Sequence, residues 1–181
     1  CQHGADIKLI TMTATPSSNT DEVVKLSKSD RKHPVLKQRI KASKSAVLES
    51  ASNKETDFVK RASMAAKELS ECGRVIGVIV NRVNTARKIF KSLLAAKQNA
   101  ELLTGRIRPY DRDTLMERLF PQIRAGRTRE DGPPVYIVAT QTVEVGADLD
   151  FDALVTEAAP LDSLRQRFGR VDRLGQLGNS K

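Results

Sequence analysis

The run Gln166-Arg167-Phe168-Gly169-Arg170-Val171-Asp172-Arg173 sets Arg170 and Arg173 three residues apart. If a helix continues through them, both guanidinium groups project from one side. A planar fork of fixed positive charge suits phosphate oxygens. In phosphoryl transfer, such an arginine stabilises the charge that develops on the transferred group. The plain alternative is a surface helix whose arginines pair with Asp162 and Asp172.

A second run, Thr140-Gln141-Thr142-Val143-Glu144-Val145-Gly146-Ala147-Asp148-Leu149-Asp150, follows an apolar segment. Its hydroxyls, amides and Gly146 could bring backbone N–H groups close to phosphates. Asp148, near that glycine, could reach a ribose hydroxyl or a metal-bound water, while Glu144 could cap a helix or pair with an arginine. Asp148 and Asp150 stand two apart, a spacing that hints at a metal, but no further ligands accompany them and no metal site is assigned.

These segments need a scaffold. Ile7 to Thr13 reads as a short buried strand stopped by Pro16, Ser17, Ser18 and Asn19. Thr20 to about Asn53 is rich in Lys and Ser with weak periodicity, and no element is assigned there. Phe58, Ala62, Ala65, Ala66 and Leu69 form one helical stripe, with Gly73 as the expected C-terminal cap. Val75 to Val80 is an apolar strand, and Ala86, Ile89, Phe90, Leu93 and Leu94 mark the next helix, with Asn84 as its N-cap. A short strand at Glu101 to Leu103 precedes a helix from near Asp111 with Leu115, Leu119 and Phe120 inward. A basic loop leads to strands at Val135 to Ala139 and Ala153 to Thr156, then a helix over Ser163 to Phe168 whose apolar positions are Leu164 and Phe168. Strands alternating with helices predict an α/β layered fold with a mainly parallel sheet. In such sheets ligands sit beyond the carboxyl ends of the strands, where both the Thr-rich and the Arg-rich segments are expected to fall.

Among 181 residues, 31 Lys plus Arg against 22 Asp plus Glu leave a net charge of +9. The excess is clustered: Arg106 to Arg129 holds seven arginines against three acids, whereas Asp148 to Asp162 is acidic. Clustered basic charge suits nucleic acid. The seven aromatics are not interleaved with it, so phosphate contact is expected rather than base stacking. Two cysteines, Cys1 and Cys72, make neither a disulfide framework nor a zinc site and fit a reducing cytoplasm. No apolar run approaches the roughly 20 residues of a membrane span. A chain opening on Cys1 rather than Met is expected to be a piece of a longer one.

Taken together, Met12 to Pro16, Val80 to Ala86, Leu103 to Arg106, Ala139 to Asp148 and Gln166 to Arg173 resemble, in order and setting, the later motifs of superfamily 2 helicases. The wording from Glu144 to Asp152, and through Thr156 to Asp162 as far as Gly175, looks most like the CRISPR-associated helicase–nuclease of type I interference, an antiviral defence enzyme. The resemblance implies RecA-like lobes of the P-loop NTPase type: residues 1–16 as the end of the first lobe, 17–56 as a basic linker, and 57–181 as the second lobe. It implies an ATP-dependent helicase whose ATP, with magnesium, is bound mainly by the missing first lobe, so that the isolated chain is inactive. Single-stranded DNA and a CRISPR surveillance complex are the implied partners.

Position by position, the resemblance makes Arg170 and Arg173 candidate arginine fingers with Gln166 beside them, and Gly146, Asp148 and Gly169 nucleotide contacts. Asn81, Arg82, Thr104, Gly105, Arg106, Thr140, Gln141 and Thr142 match positions that hold the phosphates of a single strand without reading its sequence. Thr13 and Thr15 match a segment coupling nucleotide state to strand movement. No Gly-x-x-x-x-Gly-Lys-Ser/Thr loop precedes Thr13, and no His-Asp nuclease cluster is visible, so nuclease chemistry is not assigned. A RecG-like translocase, an RNA helicase and a non-catalytic nucleic-acid-binding lobe are the competing readings.

Overall fold

Runs of Val and Ile bounded by turn residues need burial on both faces, which a parallel sheet between helix layers provides. In the computed structural model, residues 26–50, 54–105, 108–129, 132–141, 148–177 and 179–180 are described. Val75–Ile79 (β2), Asn99–Leu103 (β3), Val135–Ala139 (β4) and Ala153–Thr156 (β5) form one sheet in the order β3-β4-β2-β5. All three pairings are parallel, and Leu103, Ala139, Ile79 and Thr156 lie level at the carboxyl edge. A second, minimal parallel pair joins Ser43–Lys44 (β1) to Asn179–Ser180 (β6).

Successive side chains along a strand alternate between faces, and two cores follow from that. Ile76, Val78, Tyr136 and Val138 face Glu55–Leu69 (α2) and Val83–Ala95 (α3), which contribute Ala62, Ala66, Ala86, Ile89 and Leu93. Val75, Ile79, Val135, Ile137 and Ala139 face the opposite way, with Leu119 and Ile123 of Pro109–Ile123 (α4) and with Leu149 and Phe151. Leu115, Leu119 and Ile123, spaced by four, make the buried stripe of α4. Phe120 lies off that stripe and is exposed, contrary to the inward placement its apolar character suggested. Across the helix layer, Glu55 accepts from Thr85 at 3.0 Å and from Lys88 at 2.5 Å, tying α2 to α3.

Several local expectations shift. Helix α2 ends at Leu69 with Ser70 as its C-cap, so Gly73 is not a cap. Its hydrogen is needed elsewhere: a Cβ there would lie 2.3 Å from Asp152 Cβ. Asn84 falls in the first turn of α3, and Arg82 is the N-cap residue. The C-terminus of α3 is a Schellman motif, with Lys97 N–H donating to Leu94 O at 2.9 Å and Gln98 N–H to Leu93 O at 3.0 Å. Lys97 occupies the left-handed position at φ 57, where an L side chain costs about 1 kcal/mol and glycine does not. Lys97→Gly is expected to raise stability by about 1 kcal/mol, read as a higher urea midpoint; an unchanged or lower midpoint would contradict it.

The Lys- and Ser-rich segment holds a helix where the sequence pattern predicts none. Pro34–Lys41 (α1) packs against the chain near Gly175. Gln38 Nε2 donates to Gly175 O at 3.0 Å, and Lys44 Nζ to Phe168 O at 3.0 Å. Gly175 sits at φ +71, and a Cβ there would meet Gln38 O at 2.8 Å, so only glycine lets α1 approach this closely.

Candidate functional site

Side chains that follow the strands gather at the carboxyl edge of the sheet. Asn81 and Arg82 follow β2, Thr104 and Gly105 follow β3, and Thr140 and Gln141 follow β4. Backbone bonds continue the sheet one step further, with Thr140 N–H donating to Leu103 O at 3.3 Å and Glu157 N–H to Ile79 O at 2.9 Å. Arg82, Gly105 and Gln141 are exposed, whereas the side chains of Thr104 and Thr140 are buried. Arg106, Thr142, Gly146, Thr13 and Thr15 lie outside the described residues, as does the strand expected at Ile7 to Thr13.

Asn81 is engaged from within. Its Nδ2 donates to Ala158 O at 2.8 Å, its backbone N–H donates to Glu157 Oε2 at 2.7 Å, and its Oδ1 accepts from Arg167 Nη2 at 2.8 Å. Arg167 is fully buried. Its Nη1 donates to Thr156 Oγ1 at 2.9 Å and to Glu157 O at 3.0 Å. Arg167 thus pins Leu161–Phe168 (α5) to the ends of β2 and β5. No sequence rule marked it, because the helical pattern pointed to Leu164 and Phe168; Phe168 is in fact 40% exposed. The one available signal was an arginine in the last turn of a short helix that must cover a sheet edge.

The eight residues of α5 span about 12 Å, close to the roughly 13 Å of the four-residue β5. The helix therefore returns the chain to the amino end of β5. There Phe151 N–H donates to Arg170 O at 2.7 Å, and Asp172 N–H to Phe151 O at 2.8 Å. This corrects the expectation that the Arg-rich segment lies beyond the carboxyl ends of the strands. Gly169 is the C-cap of α5, so the helix also stops before Arg170 and does not carry both arginines on one face. A turn brings them together instead.

In that turn, Arg173 Nη1 lies 2.5 Å from Asp148 Oδ1, and both side chains are partly exposed. Burial pushes the Arg170 guanidinium below its ordinary pKa, and the neighbouring Arg173 adds to this while Asp148 opposes it. Gln166 is half-buried on the preceding turn of α5. A cleft of about 380 Å³ opens between α1 and the turn, bordered by Ile40, Lys44, Gly169, Asp172 and Arg173. The Lys44 ammonium is also driven down, chiefly by burial, with Asp172 and Asp150 opposing.

Beneath the turn is an ionic cluster that sequence reading missed. Arg127 is nearly inaccessible and reaches Asp150 Oδ2 at 3.0 Å and Asp152 Oδ1 at 2.5 Å. Arg129 Nη2 reaches Asp150 Oδ2 at 3.0 Å and Asp172 Oδ1 at 3.3 Å, and its Nη1 lies against Asp152. Asp152 Oδ2 also accepts from the N–H groups of Arg74 and Val75, both at 2.9 Å. Burial lowers the pKa of both arginines, opposed first by Asp150, so these are charges held at a desolvation cost. Among the described residues, no group of three or more His, Cys, Asp or Glu is arranged to hold a metal, and no helix is long and apolar enough to cross a membrane.

A parallel sheet covered on both faces, with one basic turn at the amino end of its edge strand, has the fold of a RecA-like helicase C-terminal domain. The family model of the CRISPR-associated nuclease/helicase Cas3 C-terminal region matches residues 72–176. The chain belongs to that Cas3-like C-terminal family. It is 34% identical over 117 residues to the CRISPR-associated helicase Cas3 of Thermoproteus tenax, a match covering 64% of this chain and 19% of that protein. The crystal structure of T. fusca Cas3 with AMPPNP aligns with a TM-score of 0.55 at 27% identity, covering 65% of this chain and 14% of that one. The C-terminal domain of the DEAD-box protein Dbp5 aligns with a TM-score of 0.57 at 21% identity, covering 77% and 75%, and shares the fold. The chain spans less than a fifth of the length of the curated relatives it matches first.

Proposed function

We propose that this chain is the second motor lobe of an ATP-dependent helicase of type I CRISPR interference, moving along single-stranded DNA in the cytoplasm and working with a surveillance complex. Residues 1–16 would close the first lobe, 17–56 would link the two, and 57–181 would form the second. The observation that carries the reading is Arg173 beside Asp148. Two groups expected to face a nucleotide, far apart in sequence, meet at one partly exposed turn and leave the rest of the lobe to position them.

Roles follow from the chemistry of each group. Arg170 and Arg173 would stabilise the negative charge that develops as the terminal phosphoryl group leaves, with Gln166 and Gly169 shaping their approach. Asp148, and Gly146 with it, would contact the ribose side of the nucleotide. ATP and its magnesium would be held by the first lobe, with this lobe closing over them. At the carboxyl edge, Arg82, the backbone around Thr104 and Gly105, and the Thr140–Gln141 end of β4 would hold strand phosphates, a role also proposed for Arg106 and Thr142. Thr13 and Thr15 would couple the two events. Helix α5 supports such coupling physically, since Arg167, in its last turn, reaches back to Asn81 while that same end of the helix leads into the arginine turn.

Strand binding tests the reading apart from hydrolysis. In the full-length parent protein, Arg82→Ala is expected to weaken single-stranded DNA binding similarly for unrelated sequences. It should also reduce the slope of log affinity against log salt by about 0.7, the share of one phosphate contact on a single strand. An unchanged slope and affinity would remove Arg82 from the strand surface.

A further inference from the structure

The turn that carries Arg173 is not a conformation its own residues favour. Asp172 sits at φ 40, in the left-handed region that a non-glycine residue adopts only when its surroundings hold it there. Its Oδ2 is buried with no hydrogen-bond partner among the described residues. Something outside the turn must fix it.

Asp150 is fully buried, and its two oxygens face different ways. Oδ1 accepts the backbone N–H of Arg173 at 2.8 Å. Oδ2 accepts from Arg127 and Arg129, each at 3.0 Å. Arg129 then reaches Asp172 Oδ1, which also accepts from Leu177 N–H at 3.1 Å. A fully buried carboxylate held by these bonds can move only if several charge-assisted bonds break together. The side chain of Arg173 remains on the partly exposed side, so the cluster restrains its backbone and leaves its guanidinium able to reach out.

We infer that Asp150, clamped by Arg127 and Arg129, is a positioning residue that holds the Arg173 backbone where its guanidinium meets a transition-state phosphoryl group. The inference rests on Arg173 acting as an arginine finger, as proposed above. A finger makes its strongest contact with the charge that develops during transfer, so its misplacement should cost affinity for a transition-state mimic and spare affinity for the product. A merely structural loss would lower both together or reduce the fraction of protein that binds.

The test uses the full-length parent protein and the probes ADP and ADP–aluminium fluoride, with affinity and binding stoichiometry measured for each. Wild type should prefer the fluoride complex, and Arg173→Ala should lose that preference. Asp150→Asn and Arg129→Met should each lose tenfold or more of it while ADP affinity stays within twofold and stoichiometry is unchanged. Arg129 is partly exposed and Arg127 still pairs with Asp150 without it, so Arg129→Met decides the matter if Asp150→Asn does not fold. Retention of the full preference in the folded variants, with Arg173→Ala losing it, would overturn the positioning role alone. Retention in Arg173→Ala would overturn the finger assignment and the inference with it.

Discussion

Arg173→Ala in the full-length parent protein is expected to lower strand-stimulated ATP hydrolysis by about 10³-fold or more and to leave ATP binding nearly intact. The magnitude is that of a lost arginine finger. The sparing of binding follows from geometry: Arg173 is already paired with Asp148, and in the proposed arrangement the other lobe supplies most of the ground-state contacts. Arg170→Ala should fall in the same class, although its backbone carbonyl, which accepts from Phe151, is untouched by the change. The check is single-turnover hydrolysis beside nucleotide binding. Equal losses of binding and turnover would mean that Arg173 serves uniform binding and not the transition state.

Arg127→Ala is expected to produce the largest loss of stability, about 3–5 kcal/mol. Removing one partner of a buried ion cluster leaves the rest uncompensated. Asp150 and Asp152 would each lose a charge-assisted bond at a buried site. Arg61 provides the contrast: it bridges Glu49 and Glu68 in solvent, and Arg61→Ala should change stability far less. Urea unfolding of the three proteins compares them directly. A small loss for Arg127→Ala, comparable with that for Arg61→Ala, would show that the cluster is as replaceable as a surface pair.

Much of the scaffold was legible because it is apolar and periodic. The stripes of α2 and α3 and the runs of β2, β4 and β5 predict their elements within a few residues, since burial on one or both faces leaves little freedom of pattern. Helix α1 was not legible. Its residues are mostly exposed, and what holds it is Gln38 on Gly175 O, a contact between distant parts of the chain. Placing the arginine turn failed for a related reason: a strand-helix order predicts a site at the carboxyl edge, whereas α5 is just long enough to return the chain to the amino edge. Asp148 and Arg173 could be singled out by motif, but their pairing depends on the backbone bonds between Phe151 and the turn. The ionic cluster was hidden because Asp150 and Asp152 look like a solvated acidic run, and their partners Arg127 and Arg129 sit in what reads as a solvated basic loop. Neither segment's charge points to the other as its partner, and only folding brings them together.

We propose that this lobe belongs to a motor driven by ATP and stimulated by single-stranded DNA. The most direct measurement is steady-state ATP turnover by the full-length parent protein, titrated in parallel with single-stranded DNA and with RNA of the same length, for wild type, Arg170→Ala and Arg173→Ala. Turnover that rises with DNA more than with RNA, and that either arginine substitution abolishes, is the predicted result. Turnover indifferent to nucleic acid, or unchanged by both substitutions, would contradict the claim and leave the lobe as a binding module.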